Sequence, residues 1–181
     1  MDNLGGNVGL FYFDERIDRY EKCRDYTSLI RYLSEKCEQN TDDARSAYTL
    51  IAYAWYLYVE NYPDETFEKC GVDMYYDTWK AYTDIGIKRF AFDGWFCFIV
   101  GYILHLHGFL LGDGTEYEPI AETLLWNCIV SSDDRRSKQM AKALLENLAI
   151  GDAISAAEKE EFSELFPNDS LIDEYFRHII S

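Results

Sequence analysis

The sequence offers few residues whose types and spacing could support metal binding or catalysis. His105 and His107 are two residues apart, which on a helix separates their directions by about 200°. A helix that holds one metal ion presents ligands three or four residues apart, as in a His-Glu-x-x-His pattern, and that pattern is absent. We therefore expect no metal and no cofactor. At least one of the two histidines is expected in the core, hydrogen-bonded to a tyrosine or a carboxylate.

No sequence context indicates an activated nucleophile. The chain has no Gly-x-Ser-x-Gly elbow, and its five cysteines form no Cys-x-x-Cys pair. Adjacent acids such as Asp133 and Asp134 suit the first turn of a helix, where negative charge is stabilised by the helix dipole. The sequence therefore predicts a protein without catalytic residues. An enzyme of unrecognised type is the alternative, which a deep cleft holding a histidine opposite a carboxylate would favour.

Acidic and aromatic residues alternate in two stretches of the chain. Lys69 is the only base between positions 60 and 79, and no base occurs between 113 and 134. Carboxylates spaced along a helix can imitate a row of phosphates, and neighbouring tyrosines supply contact area at an interface. We predict that these stretches bind a partner, and we expect Glu68, Asp73, Tyr76 and Asp77 to be exposed. The predicted partner-binding residues are Glu65, Glu68, Asp73, Tyr76, Asp77, Asp113, Glu116 and Glu118.

The charge of the whole chain supports a basic partner. Thirty-three acidic residues against seventeen basic ones give a formal charge of −16, yet 48% of the residues are hydrophobic. Disordered acidic tails lack that apolar content, so we expect a folded protein with a strong negative field. Such a field repels nucleic acid and anionic membranes and attracts basic protein surfaces. The sequence therefore predicts a basic protein partner, without direct binding to nucleic acid or membrane.

The elements that position these residues are predicted to be helices. Apolar residues recur at three- and four-residue steps through most of the chain, the first run covering residues 24–39. We predict an all-α fold of seven or eight helices, stacked as antiparallel hairpins around a central apolar helix at about 95–111. A single domain of 1–181 is expected, with 151–181 as a small C-terminal helical appendage. Thr115 with Glu118, and Ser155 with Glu158, fit helix-starting capping boxes.

The uncharged run from Trp95 to Leu111 has a second interpretation as a transmembrane helix. Its seventeen residues lie at the lower limit for crossing a bilayer, and it contains His105 and His107, which are costly in lipid. Its neighbours are amphipathic helices that need a packing partner, so we favour a core helix. Residues 1–7 lack the basic and apolar regions of a secretory signal. We therefore expect a cytoplasmic protein.

The sequence resembles two groups of proteins in overall character. Small residues within helix pairs, at Ala52, Gly86, Gly101 and Ala121, resemble the packing of tetratricopeptide and other α-solenoid proteins, although that repeat's residues do not recur at its period of about 34. Small size, strong acidity and helical character without a catalytic motif resemble inhibitors used in bacterial conflict. These are immunity proteins that block nuclease toxins, and anti-CRISPR proteins. The second resemblance implies a non-enzymatic inhibitor of a nuclease toxin or a Cas nuclease, acting partly as a nucleic-acid mimic. The first implies an adaptor or chaperone that binds a peptide or protein.

Overall fold

The computed structural model describes residues 9–61, 69–112 and 115–181. Within these ranges the chain is all-helical, as predicted, with nine α-helices, two short 3-10 turns and no strand. The helix number exceeds the predicted seven or eight because a separate helix precedes residue 24. The helices are α1 (Glu15–Cys23), α2 (Tyr26–Gln39), α3 (Ala44–Asn61), α4 (Lys69–Phe90), α5 (Gly94–His107), α6 (Glu118–Ser131), α7 (Arg135–Leu145), α8 (Ala156–Ser163) and α9 (Leu171–Ile180).

Aspartate side chains start four of these helices. Asp14, Asp25, Asp93 and Asp134 each accept a hydrogen bond from a backbone N–H of the following first turn. Such bonds satisfy donors that have no partner inside the helix. Arg24 ends α1 in the left-handed conformation, with a φ of 55°. Arg24 therefore ends α1 before α2 begins at Tyr26, and residues 15–23 form a separate helix.

Of the two predicted capping boxes, one forms and one does not. Ser155 and Glu158 make the reciprocal pair at the start of α8, which confirms that prediction. The box at Thr115 is wrong, because α6 begins at Glu118 with Tyr117 in the N-cap position. Tyr117 is buried and bonded to α4. A tertiary contact therefore decides where α6 starts.

Helices α3 and α5 form the centre of the core. In α3 every residue from Leu50 to Trp55 is buried, because the helix packs against α2 and α4 as well as α5. In α5 every residue from Phe96 to Leu104 is buried. The central apolar helix predicted from the sequence is confirmed, and it is enclosed by α3, α6 and α7. Among the described residues, no helix combines the length and the apolar character that crossing a membrane requires.

Two glycines allow helices to approach α5 closely. A Cβ atom at Gly86 of α4 would lie 2.6 Å from the ring of Phe96. A Cβ at Gly94, the first residue of α5, would lie 2.3 Å from the hydroxyl of Ser132. Both distances are far below van der Waals contact, so any larger residue would push α4 or the end of α6 away from α5.

The N-terminal segment and the C-terminal helices join the same core. Leu10 donates its backbone N–H to the carbonyl of Leu165 at 2.7 Å. The Phe11 ring lies 6.1 Å from Phe166 and 5.1 Å from Phe176. Arg45 of α3 donates to the carbonyls of residues 9, 10 and 11, at 2.6, 3.1 and 2.6 Å. This arginine holds residues 9–11 between α3 and the chain that connects α8 to α9.

Candidate protein-binding face

One edge of α4 carries most of that helix's exposed carboxylates. Asp73, Asp77 and Asp84 follow one another with Lys80 at steps of three or four residues, which places them along one side of the helix. Tyr75, Trp79 and Gly86 lie towards the other side of the helix and are buried. Burial of that side against α3 therefore turns the acidic side of α4 outward.

Lys80 joins this edge to the start of α6. Its Nζ donates to the hydroxyl of Tyr117 at 2.9 Å and to the carbonyl of Leu111 at 3.1 Å. The Tyr117 hydroxyl in turn donates to the carboxylate of Asp84 at 2.8 Å. The hydrogen bond to Tyr117 is the main cause that raises the pKa of Lys80, with Asp84 also contributing. Lys80 is therefore held as an internal cation, and the Lys80–Tyr117–Asp84 junction fixes the chain before α6 beside α4.

A second contact ties the other ends of the two helices. Asn127, near the end of α6, donates its side-chain N–H to the carbonyl of Ala91 just after α4, at 2.9 Å. Lys80 and Asp84 of α4 are bonded to Tyr117 at the start of α6, and Ala91 after α4 is bonded to Asn127 near the end of α6. The two helices therefore run in the same direction. The acids of α4 and those at the start of α6 therefore lie on one side of the described part of the chain. We call this surface the acidic face; it consists of Asp73, Asp77, Asp84, Glu116, Glu118 and Glu122.

The outermost carboxylates of the acidic face are available to a partner. Asp73, Asp77, Glu116 and Glu118 are all exposed. None of the four makes a hydrogen bond or an ion pair with another residue in the described part of the chain. Among the residues whose side chains the structure describes, the bases on this side of α4 are Lys80, which is internally bonded, and the exposed Lys88. The face thus combines an excess of negative charge with carboxylates that no internal cation neutralises.

The structure separates the predicted site residues into three groups. Asp73, Asp77, Glu116 and Glu118 are exposed on the acidic face. Tyr76 was expected to be exposed, and that expectation is wrong: its ring is half-buried and lies 5.4 Å from the ring of Tyr58. Three predicted residues lie outside the described part of the chain, namely Glu65, Glu68 and Asp113. The partner-binding role of the whole set stays a prediction.

The sequence interpretation missed an apolar continuation of this surface along α6. Glu118, Glu122, Trp126 and Val130 follow one another at four-residue steps, and all four are exposed, Trp126 by 53% and Val130 by 80%. Phe92, next to the carbonyl bonded by Asn127, is 75% exposed. The four-residue spacing from Glu118 to Val130 is the signal that could have revealed this outward strip, because residues at that spacing share one side of a helix.

The two histidines do not form a catalytic arrangement. Trp55 donates its indole N–H to His107 Nδ1 at 3.3 Å, and burial lowers the pKa of His107. The predicted hydrogen bond to a tyrosine or carboxylate is therefore wrong, because the partner is an indole. His105 is exposed at a groove of about 470 Å³ between α5, α7 and α9. None of the described residues that line this groove is a carboxylate.

The described residues contain no group of three or more His, Cys, Asp or Glu side chains that could hold a metal ion. The fold and the face together define an all-helical protein with an outward acidic surface that continues into exposed aromatic residues. Comparisons of this chain with protein-family models, with curated proteins and with solved structures find no match.

Proposed function

We propose that this protein is a non-enzymatic, cytoplasmic inhibitor that binds a basic nucleic-acid-processing enzyme of a bacterial conflict system. The target would be a nuclease toxin or a Cas nuclease, and the acidic face would occupy its nucleic-acid groove as a partial mimic of the phosphate backbone. The Lys80–Tyr117–Asp84 junction carries this proposal. It brings the described acids of α4 and those at the start of α6, far apart in sequence, onto one side of the fold.

The physical basis is electrostatic association followed by apolar anchoring. Exposed carboxylates of one sign steer a basic partner and accelerate its association, an effect that salt weakens. Exposed Phe92, Trp126 and Val130 adjoin the acidic face, and aromatic side chains buried at an interface slow dissociation. A protein built this way needs no catalytic residue, because blocking a groove is sufficient for inhibition.

The test is a pull-down in which this protein is the bait, at about 50 mM and about 300 mM salt. The prey is a bacterial lysate to which the products of neighbouring genes are added. Exposed charge pairs are screened over that range. The test variant carries Asp73→Lys, Asp77→Lys and Glu116→Lys. A matched control carries Glu160→Lys, Glu164→Lys and Glu174→Lys, three exposed acids that lie in α8, directly after α8 and in α9. Both variants change the net charge equally, and circular dichroism checks that both remain folded.

We expect one basic nuclease to bind wild type and control at low salt, to be depleted at high salt, and to be lost from the acidic-face variant. The purified protein should then inhibit the nuclease activity of the purified target. Equal capture by the two variants would contradict the proposed role of the acidic face, because total charge rather than its placement would then govern binding.

A second candidate function is an adaptor or chaperone, favoured by the groove between α5, α7 and α9. Its walls are mainly apolar, and Leu106 and Leu148 are 36% and 48% exposed there. Such a groove suits an amphipathic helix or an extended peptide. In the same pull-down this function predicts partners that persist at high salt and are lost when Leu106→Ser and Leu148→Ser are combined.

A further inference from the structure

A second groove lies at the far end of the acidic face, where α6 ends and α5 begins. It has a volume of about 330 Å³, and its walls include Phe92, Trp95 and Asp133. Asn127 links α6 to Ala91 beside this groove, so the exposed strip of α6 leads directly to it. The groove is thus continuous with the face assigned to partner binding above.

Two aromatic side chains line the groove. Phe92 projects from the turn between α4 and α5 and is 75% exposed. Trp95 is half-buried, with its ring packed edge-on against Phe98 at 6.0 Å. That contact holds Trp95 in place. Aromatic faces of this kind attract cations through their negative quadrupole.

The charges around the groove also favour a cation. Asp93 and Asp134 are already engaged, because each caps the helix that follows it. Asp133 is exposed and makes no hydrogen bond or ion pair with any residue in the described ranges. The C-terminal carbonyls of α6 add partial negative charge at the same place, while the positive N-terminal ends of α5 and α7 beside the groove are capped by Asp93 and Asp134.

The bases near the groove are neutralised by their own partners. Arg136 pairs with Asp134 at 2.8 Å. Arg135 pairs with Glu158 at 2.6 Å and with Glu161 at 3.0 Å. Neither arginine therefore competes for Asp133, and the groove keeps one carboxylate that lacks a cation.

We propose that this groove receives an arginine side chain of the basic partner protein. The guanidinium would lie against Phe92 and Trp95 with its N–H groups towards Asp133, while Trp126 and Val130 contact apolar residues beside it. Arginine suits this site better than lysine, because its planar group stacks on aromatic rings and donates two parallel hydrogen bonds to a carboxylate. The inference rests on the proposed function and adds the position at which the partner is anchored.

The experiment is an NMR titration of the full-length protein with nona-arginine and with nona-lysine at about 50 mM salt. The four tryptophans provide indole N–H signals that report on separate places. Trp95 lines the groove, and Trp126 lies on the exposed strip of α6 that leads towards it. Trp55 and Trp79 are buried and serve as internal controls. The variants are Phe92→Ala and Asp133→Asn, both at exposed positions. Asp73→Asn reports on the acidic face, and Glu160→Gln, at an exposed position of α8, is the matched charge control.

We expect nona-arginine to shift the Trp95 and Trp126 signals and to bind at least twofold more tightly than nona-lysine. Phe92→Ala and Asp133→Asn should each weaken nona-arginine binding by about threefold to fivefold, the loss expected for one exposed cation–aromatic contact or ion pair. Glu160→Gln should weaken it by less than twofold.

Two results would overturn this inference, and they have different consequences. Binding that shifts only signals of α4, and that weakens with Asp73→Asn but not with Asp133→Asn, would reject the arginine groove and leave the proposed function standing. A protein that binds neither peptide at low salt would contradict both the groove and the acidic-face inhibitor.

Discussion

Two regions of the molecule are rich in carboxylates, and they use them in opposite ways. At the inner junction of α1, α3 and α9, Glu21 accepts hydrogen bonds from the Tyr53 hydroxyl at 2.8 Å and from the Leu171 N–H at 3.1 Å. Asp173 accepts both the backbone and the side-chain N–H of Asn168, each at 2.8 Å. On the acidic face, Asp73, Asp77, Glu116 and Glu118 form no such bonds among the described residues.

The position of an acid in the fold, rather than its residue type, therefore decides its role in this protein. Burial raises the pKa of Glu21, and it raises the pKa of Asp173 to about 6, although the Asn168 N–H groups oppose the shift. An inner carboxyl therefore affects the stability of the fold. The exposed carboxylates of Asp73, Asp77, Glu116 and Glu118 have no described partner to lose, so they are available for binding another protein.

The largest effect is expected from Arg45, the cation of the inner region. Arg45→Met removes three hydrogen bonds to the carbonyls of residues 9–11. Charge-assisted bonds of this kind contribute strongly, and carbonyls left without donors add a desolvation penalty. We expect the free energy of unfolding to fall by roughly 3 kcal/mol, measured by urea denaturation.

The matched control for that variant is Arg89→Met. Arg89 is exposed and makes one hydrogen bond, to the carbonyl of Thr41 at 3.1 Å. Its removal should cost less than about 0.5 kcal/mol. Equal losses from the two variants would show that Arg45 does not hold the N-terminal segment in the way described.

The next effect concerns the pH dependence of Asp173. Its pKa in the folded state is about 6, above the usual 3.8, so the folded protein binds more protons than the unfolded chain between these values. The contribution of Asp173 is therefore fully favourable below pH 3.8 and is lost as the pH rises through 6. The loss amounts to roughly 2 to 3 kcal/mol between pH 4 and pH 7.

Asp173→Asn tests this, because the amide keeps an oxygen for the Asn168 N–H groups and does not ionise. Unfolding of wild type and variant should be compared at pH 4, 5, 6 and 7. Relative to wild type, the variant should gain roughly 2 to 3 kcal/mol over that range. A stability difference that is constant across pH would mean that Asp173 titrates at its ordinary value.

The smallest effect on stability is expected on the acidic face. Combining Asp73→Asn, Asp77→Asn and Glu116→Gln removes three exposed charges that have no described partner. The free energy of unfolding should stay within about 0.5 kcal/mol of wild type, while binding to a basic target weakens. A large loss of stability would show that these acids interact with other groups of the folded protein, as Glu21 and Asp173 do.

Local patterns in the sequence were sufficient for the helical class and for the central helix. Phe96 to Leu104 form an apolar run between amphipathic helices, which favours a core helix, and they are buried. The Ser155 capping box also forms as predicted, since its members are three residues apart and need no other part of the chain. Such features depend on neighbours in sequence, and their pattern is therefore visible before folding.

The candidate site was predictable only in part. The exposed acids Asp73 and Asp77 follow from the helical period and the excess of acidic residues. The burial of one side of Tyr76 does not, because it depends on Tyr58 of another helix. The groove at Phe92 and Trp95 likewise needs the end of α6 to be placed against the start of α5.

The helices, their apolar centre and the large excess of negative charge are all visible in the amino-acid sequence. Tertiary packing alone places the described acids of α4 and those at the start of α6 on one side, through Lys80, Tyr117 and Asp84. It also decided that Arg45 holds residues 9–11 rather than facing solvent. The physical reason is separation along the chain: these partners are more than thirty residues apart, and no local period records which distant groups folding brings together.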